Sequence, residues 1–157
     1  MQKYWPPLSF NTSRPEPLIL KRTLIGIECR ASNDNPQAIG AIWQRFMAEQ
    51  LAAQIPNRSG GNLIAIYCDY DGDHTEPYTF FLGCTVNDAS DLPSEFTIRT
   101  LPAGRYVQRH AAGEMPAALV TAWRDIWTSD LDRAYDSSFE IHDPTSPQAV
   151  DIFVGVA

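Results

Sequence analysis

Long apolar runs are missing from this sequence. No stretch approaches the roughly 18 residues of a transmembrane helix, so no helical membrane span is expected. Cysteine is scarce, with three residues at Cys29, Cys68 and Cys84, an odd number that never falls in C-x-x-C spacing. That excludes a disulfide framework and points to reduced, buried thiols in a cytoplasmic protein. Positive charge is sparse as well: 12 Lys and Arg stand against 19 Asp and Glu, for a net charge of −7. Only Lys21 and Arg22 are adjacent. Binding a polyanion needs a concentrated basic patch, so direct nucleic-acid binding is not expected. The three histidines, His74, His110 and His142, lie in separate segments without ligand spacing. No metal and no cofactor is therefore expected. The first residues lack a basic stretch followed by an apolar one, so they do not read as a signal peptide.

What is present is enough for one core. The chain has 157 residues, 44% of them hydrophobic, and a chain of this length buries about two-thirds of its unfolded surface. Residues 1–17 hold Pro6, Pro7, Pro15 and Pro17 and read as an irregular N-terminal arm. Its aromatics Tyr4, Trp5 and Phe10 suggest that it docks. Residues 18–157 read as a single domain.

Within that domain, 18–28 is apolar and β-branched and reads as a strand. A helix is expected over 38–54, where Ile39, Ile42, Trp43, Phe46, Met47 and Leu51 recur at helical spacing, with Asn35 as N-cap and Pro36 opening the first turn. Strands follow at 62–70 and 78–87, the second after an Asp71-Gly72-Asp73 turn. Residues 96–101 and 105–111 read as strands around a Pro102-Ala103-Gly104 bend. A second helix is expected over 116–129 and two last strands over 138–142 and 150–156. The spacing of Asp69, Asp71 and Asp73 resembles the start of a calcium loop. However, glycine comes at the fourth rather than the sixth position and no glutamate follows at the twelfth, so a hairpin turn is expected.

The order strand, helix, strand, strand occurs twice. AIWQRF (41–46) and TAWRDIW (121–127) each place a tryptophan mid-helix, and FFLG (80–83) answers to IFVG (152–155). The expected fold is α+β, with duplicated β-α-β-β units forming one mostly antiparallel sheet, two helices on one face, and a ligand cleft at the pseudo-twofold. The matched register aligns Ala65 with Glu140 and Tyr67 with His142. It assigns Phe80, Leu82, Phe139, Ile141, Ile152 and Val154 to the helix-covered face. Tyr67, Phe81, Glu140, His142 and Phe153 are expected on the other face, where aromatics around a lone carboxylate have the composition of a small-molecule pocket.

These residues carry a resemblance. The segments LIGIE (24–28), IGAIWQRF (39–46), IAIYCDYDGD (64–73), EPYTFFLG (76–83), LPAGRYV (101–107), AWRDIW (122–127), FEIHDP (139–144) and VDIFVGV (150–156) follow the order of the GyrI-like family. That family is also seen as the effector-binding domain of bacterial multidrug-responsive transcription activators. The resemblance implies a cleft between the halves that takes lipophilic, often cationic, aromatic compounds. It further implies that the acidic residue of the penultimate strand, here Glu140, meets the ligand's positive charge. Family members usually carry Tyr where this chain has His142. With the fold expected from about Leu18, the chain resembles a stand-alone member rather than one fused to a helix-turn-helix.

The expected ligand-binding set is Glu140, Tyr67, Phe81, Phe153, His142, Trp43, Trp123 and Tyr106. Against it stand plainer readings: an exposed glutamate for Glu140, packing beneath the arm for Tyr67, Phe81 and Phe153, and core packing for Trp43 and Trp123. A carboxylate in an apolar cleft needs a cation or donors to offset desolvation, and aromatic rings add cation–π contacts of about 0.5–2 kcal/mol. Three functions follow. The first is binding of small, lipophilic, cationic molecules. The second, from relatives that act on strained cyclopropane compounds, is hydrolysis with Glu140 activating water and Tyr67 or Tyr106 assisting. The third is a protein-interaction module, such as a gyrase antagonist.

Overall fold

Among the described residues, alternating and β-branched segments give eight strands, and two amphipathic segments give the principal helices. The computed structural model describes residues 18, 19 and 21–157, with side chains from Lys21 onward. The arm at 1–17, with Tyr4, Trp5 and Phe10, lies outside the described residues. The elements run β1 (Leu18–Ile19), β2 (Arg22–Ala31), α1 (Gln37–Ala48), α2 (Leu51–Gln54), β3 (Leu63–Cys68), β4 (Tyr78–Thr85), β5 (Thr97–Leu101), β6 (Gly104–Ala112), α3 (Ala117–Trp127), β7 (Arg133–His142) and β8 (Ala149–Val156).

The strands form one sheet in the order β1-β6-β8-β7-β3-β4-β2-β5. Every pairing is antiparallel. The unit β2-α1-β3-β4 is repeated as β6-α3-β7-β8, and the halves join where β3 pairs with β7 and Ala65 faces Glu140. The duplicated α+β fold expected from the sequence is the fold observed.

Two expected elements are divided. The apolar run 18–28 splits at Lys21: β1 pairs with β6 in the second half, while β2 pairs with β4 and β5 in the first. The helix expected to reach residue 54 stops at Ala48, and Gln50 adopts a left-handed conformation (φ 51°) before α2. At 100° per residue an unbroken helix would carry Leu51 well off the Phe46 face. The break turns Leu51 inward, and both residues are 1% exposed. Pro36 occupies the N-cap of α1, not Asn35.

The sheet is rolled, and a short connection requires it. β5 and β6 lie six strand spacings apart in the order above, about 29 Å if the sheet were flat. Only Pro102 and Ala103 separate Leu101 from Gly104, and three Cα steps span at most about 11 Å. The flanks must therefore curl toward each other. The inner face of the roll is a closed apolar cluster in which Leu101 and Tyr106, from the two flanks, join Leu24, Ile66, Phe81, Phe139, Ile141 and Phe153. The Tyr106 hydroxyl donates to the Pro102 carbonyl at 2.9 Å, and Phe139 stacks on Phe153 with centroids 4.7 Å apart.

Both helices lie on the outer face, α1 over Ile25, Ile27, Phe80 and Leu82, and α3 over Val150, Ile152 and Val154. Phe80, Leu82, Ile152 and Val154 thus take the expected side. Phe139 and Ile141 do not, and neither do Tyr67, Glu140 and His142, which lie on the helix-covered face. Because both faces of the rolled sheet are covered, a lone polar residue in a strand does not mark the open face.

Candidate functional site

The two halves hold α1 and α3 apart over the central strands, and between them lies a cavity of about 500 Å³. Ile39, Gly40 and Trp43 of α1 form one wall and Leu119, Trp123 and Trp127 of α3 the other. Tyr67 at the end of β3, Tyr70 just beyond it and Tyr78 at the start of β4 form the floor, and Asn33 and His74 close one end. The helix spacing explains the walls: residues three and four apart share a face, so Ile39 lines up with Trp43, and Leu119 with Trp123 and Trp127. Gly40 leaves a gap in the first wall, because a Cβ there would meet nothing within 4 Å.

Beneath this floor is Glu140, fully buried at 0% exposure. Its carboxyl group makes three hydrogen bonds. Tyr67 Oη donates to Oε2 at 2.8 Å, Trp123 Nε1 donates to the same oxygen at 2.6 Å, and His142 Nε2 lies 2.7 Å from Oε1. The three partners come from β3, α3 and β7, so the carboxyl group ties the two halves together. His142 in turn meets Trp43 edge-on at 4.7 Å.

The rings form a connected set. Tyr67 lies 5.0 Å from Trp123, 5.2 Å from Phe80 and 5.7 Å from Tyr78. Burial, and then the charge and hydrogen bond of Glu140, push the Tyr67 hydroxyl well above its ordinary range, so it stays a donor. Burial likewise raises the Tyr78 hydroxyl, which donates to Asn33 Oδ1 at 2.9 Å, while Asn33 Nδ2 donates to the His74 carbonyl at 2.6 Å. The His74 ring stacks on Trp127 at 5.8 Å. These bonds fasten the turn after β3 across the end of the cavity.

Of the residues singled out from the sequence, Trp43, Tyr67 and Trp123 line the cavity. Glu140 and His142 lie directly behind them, bonded to each other rather than facing the open space. Phe81, Phe153 and Tyr106 are elsewhere, buried on the inner face of the roll. Strand alternation placed them there: Phe81 and Phe153 neighbour residues of the outer face in sequence and so point the opposite way. Sequence reasoning missed Tyr70, Tyr78, His74, Trp127 and Gly40. For Trp127 the signal was present, one helical turn beyond Trp123.

The acidic turn is a turn. Asp69 pairs with Arg99 at 2.8 Å, Asp71 with Arg30 at 3.1 Å, and Asp73 accepts from Thr75. Among the described residues no group of His, Cys, Asp and Glu could hold a metal ion, and the three cysteines are free thiols. Among the described residues no helix is long and apolar enough to cross a membrane.

Three comparisons bear on this geometry. Residues 20–156 match the family described as "Cass2: Integron-associated effector binding protein". YobU of Bacillus subtilis (strain 168) is 27% identical over 150 residues, which cover 89% of this chain and 93% of that protein. The integron cassette protein from the mobile metagenome of Vibrio cholerae superposes with a TM-score of 0.71 at 27% identity, over 89% of this chain and 93% of its own. SAV2435, solved with tetraphenylphosphonium bound, shares the fold at a TM-score of 0.73 and 18% identity, over 89% of this chain and 91% of its own.

Proposed function

The chain belongs to the Cass2 family of integron-associated effector binding proteins, and we propose that its effector is a lipophilic, amphipathic organic cation held between α1 and α3. One observation carries the reading: a cavity of about 500 Å³ walled by aromatic rings lies directly over a buried carboxylate. Ligand cavities span roughly 300–1,000 Å³ and combine apolar walls with a few fixed polar groups. Here Trp43, Tyr67, Tyr70, Tyr78, Trp123 and Trp127 supply flat apolar surface, and Glu140 supplies the charge.

Glu140 acts on a ligand through two of those rings. Tyr67 and Trp123 each line the cavity and each donate to its carboxylate, so a cation lying against them sits within a short distance of the negative charge. At an effective dielectric near 20, a unit charge about 6 Å away gains about 3 kcal/mol before desolvation. Charge and ring surface impose no directional hydrogen-bond code, which suits a site open to many related molecules. That SAV2435 takes tetraphenylphosphonium supports a lipophilic cation as the class.

Binding is favoured over hydrolysis. Glu140 is fully buried and three of the about four hydrogen-bonding positions of its carboxyl group are taken by protein partners, so it is closed to a reacting water. Tyr106, the other candidate for such a reaction, donates to Pro102 on the opposite face of the sheet.

Calorimetric titration with tetraphenylphosphonium and with neutral triphenylphosphine oxide tests the reading. The cation should bind at least about tenfold more tightly, a difference of about 1.4 kcal/mol. Equal affinity for the two would reject charge recognition, and no saturable binding of either would reject the cavity as a site for this class.

A further inference from the structure

Of the residues that line the cavity none is acidic, whereas Arg124 of α3 is among them. A second arginine lies behind the wall. Arg133, at the start of β7, is 9% exposed, and its guanidinium sits 4.5 Å from the Tyr135 ring and 5.8 Å from both the Tyr70 and Trp123 rings. Tyr70 and Trp123 are cavity residues. Among the described residues Arg133 has no carboxylate partner. Its Nε and Nη1 atoms are buried without a hydrogen bond, and Nη2 donates only to the Tyr70 hydroxyl, over a long 3.4 Å.

Buried guanidinium groups ordinarily meet a carboxylate or phosphate through two parallel hydrogen bonds. Removing the counter-charge from such a group is costly, because the remaining charge has lost its water without gaining a partner. Arg133 has rings and one long hydrogen bond but no counter-charge, and it lies directly behind two rings of a cavity whose surface carries another arginine. We propose that the ligand bears an anionic group as well as its cationic part, and that Arg133 receives it, with Arg124 adding positive charge at the cavity surface. The occupant would then be zwitterionic, with its positive part over Tyr67 and Trp123 near Glu140 and its negative part at the Tyr70 end. Tyr70 is half-buried and held to Arg133 by one long bond, so a rotation of its side chain exposes the two unused donors. Side-chain rotations of this kind are common on binding. The inference rests on the cavity being the ligand site.

A matched pair of dyes tests it: a rhodamine with a free benzoate, which is a zwitterion, and its methyl ester, which is a cation with the same rings. Wild-type protein should bind the acid at least about fivefold more tightly than the ester, as expected for a charge-assisted pair. Arg133→Met should bring that ratio close to one, and Arg124→Gln should lower it in part. Because both dyes are titrated into the same preparation, any partly unfolded fraction cancels from the ratio. Equal binding of acid and ester, or a preference that survives both substitutions, would overturn the inference and leave the cavity reading standing. Failure of both dyes to bind would overturn the two together.

Discussion

At the scale of single residues, burial keeps two thiols protonated, and hydrogen-bond partners surround the fully buried carboxyl group of Glu140. Burial pushes the Cys68 and Cys84 thiols up from 9.0 to about 11. In the unfolded chain these thiols lose their protons from about pH 9, while the folded chain retains them to about pH 11, so folding is favoured below pH 9 and that advantage is lost as pH rises through the interval. Two units correspond to at most about 2–3 kcal/mol per thiol. Guanidinium denaturation at about pH 8 and about pH 10.5 should show a fall in midpoint, and the double variant Cys68→Val, Cys84→Val should show a smaller one. The same fall in both proteins would contradict the assignment. Tyr70, raised by burial to about 12, adds its loss at still higher pH in either protein.

At the scale of elements, two glycines make opposite demands. Gly83 of β4 lies opposite Gly26 of β2, and a Cβ on Gly83 would come within 2.2 Å of the Ile25 carbonyl oxygen. Backbone cannot yield as a side-chain tip can, so Gly83→Ala should cost more than about 3 kcal/mol in urea denaturation. A loss below about 1 kcal/mol would show that the strands separate easily there. Gly40, by contrast, faces open space in the helix wall of the cavity. Gly40→Leu should retain or raise the melting temperature, since glycine costs a helix interior about 1 kcal/mol, while its side chain fills the cavity and abolishes dye or cation binding. Undiminished binding by a folded Gly40→Leu protein would move the ligand site elsewhere.

Element order, the repeat and most of the helix faces were legible in the sequence, because periodicity and turn residues record them directly; Met47, expected on the apolar face of α1, is 58% exposed. The repeated Gly83 and Gly155 were legible too, and both occupy places where a Cβ would strike a neighbouring strand. Three things were not. The division of 18–28 carries no glycine or proline to mark it. The break at Gln50 follows from where Leu51 must go, which only the packed core reveals. The faces of β4 and β8 were assigned correctly and those of β3 and β7 were not, because alternation tells which residues of a strand share a side, not which side the helices cover. Phe81 and Phe153, equivalent by the repeat, proved to be equivalent core positions, each 0% exposed, rather than parts of the site.

At the scale of the molecule, the rolled sheet makes the site. Curling the flanks together closes the inner face into a core and leaves the outer face to carry α1 and α3 on either side of the β3–β7 seam. Neither half forms the proposed site alone: Trp43, Tyr67, Tyr70 and Tyr78 come from the first, Trp123, Trp127, Glu140 and His142 from the second. In the proposed reading, the carboxylate that joins the halves through Tyr67, Trp123 and His142 also supplies the negative charge under the cavity, so seam and site share one group. Titration of tetraphenylphosphonium and triphenylphosphine oxide into Glu140→Gln protein, folded as judged by its melting transition, tests this most directly. The amide retains an acceptor for Tyr67 and Trp123 but has no charge. The cation's affinity should fall at least about tenfold while that of the neutral oxide stays as in wild type. An unchanged affinity for the cation, or an equal loss for both molecules, would contradict the account.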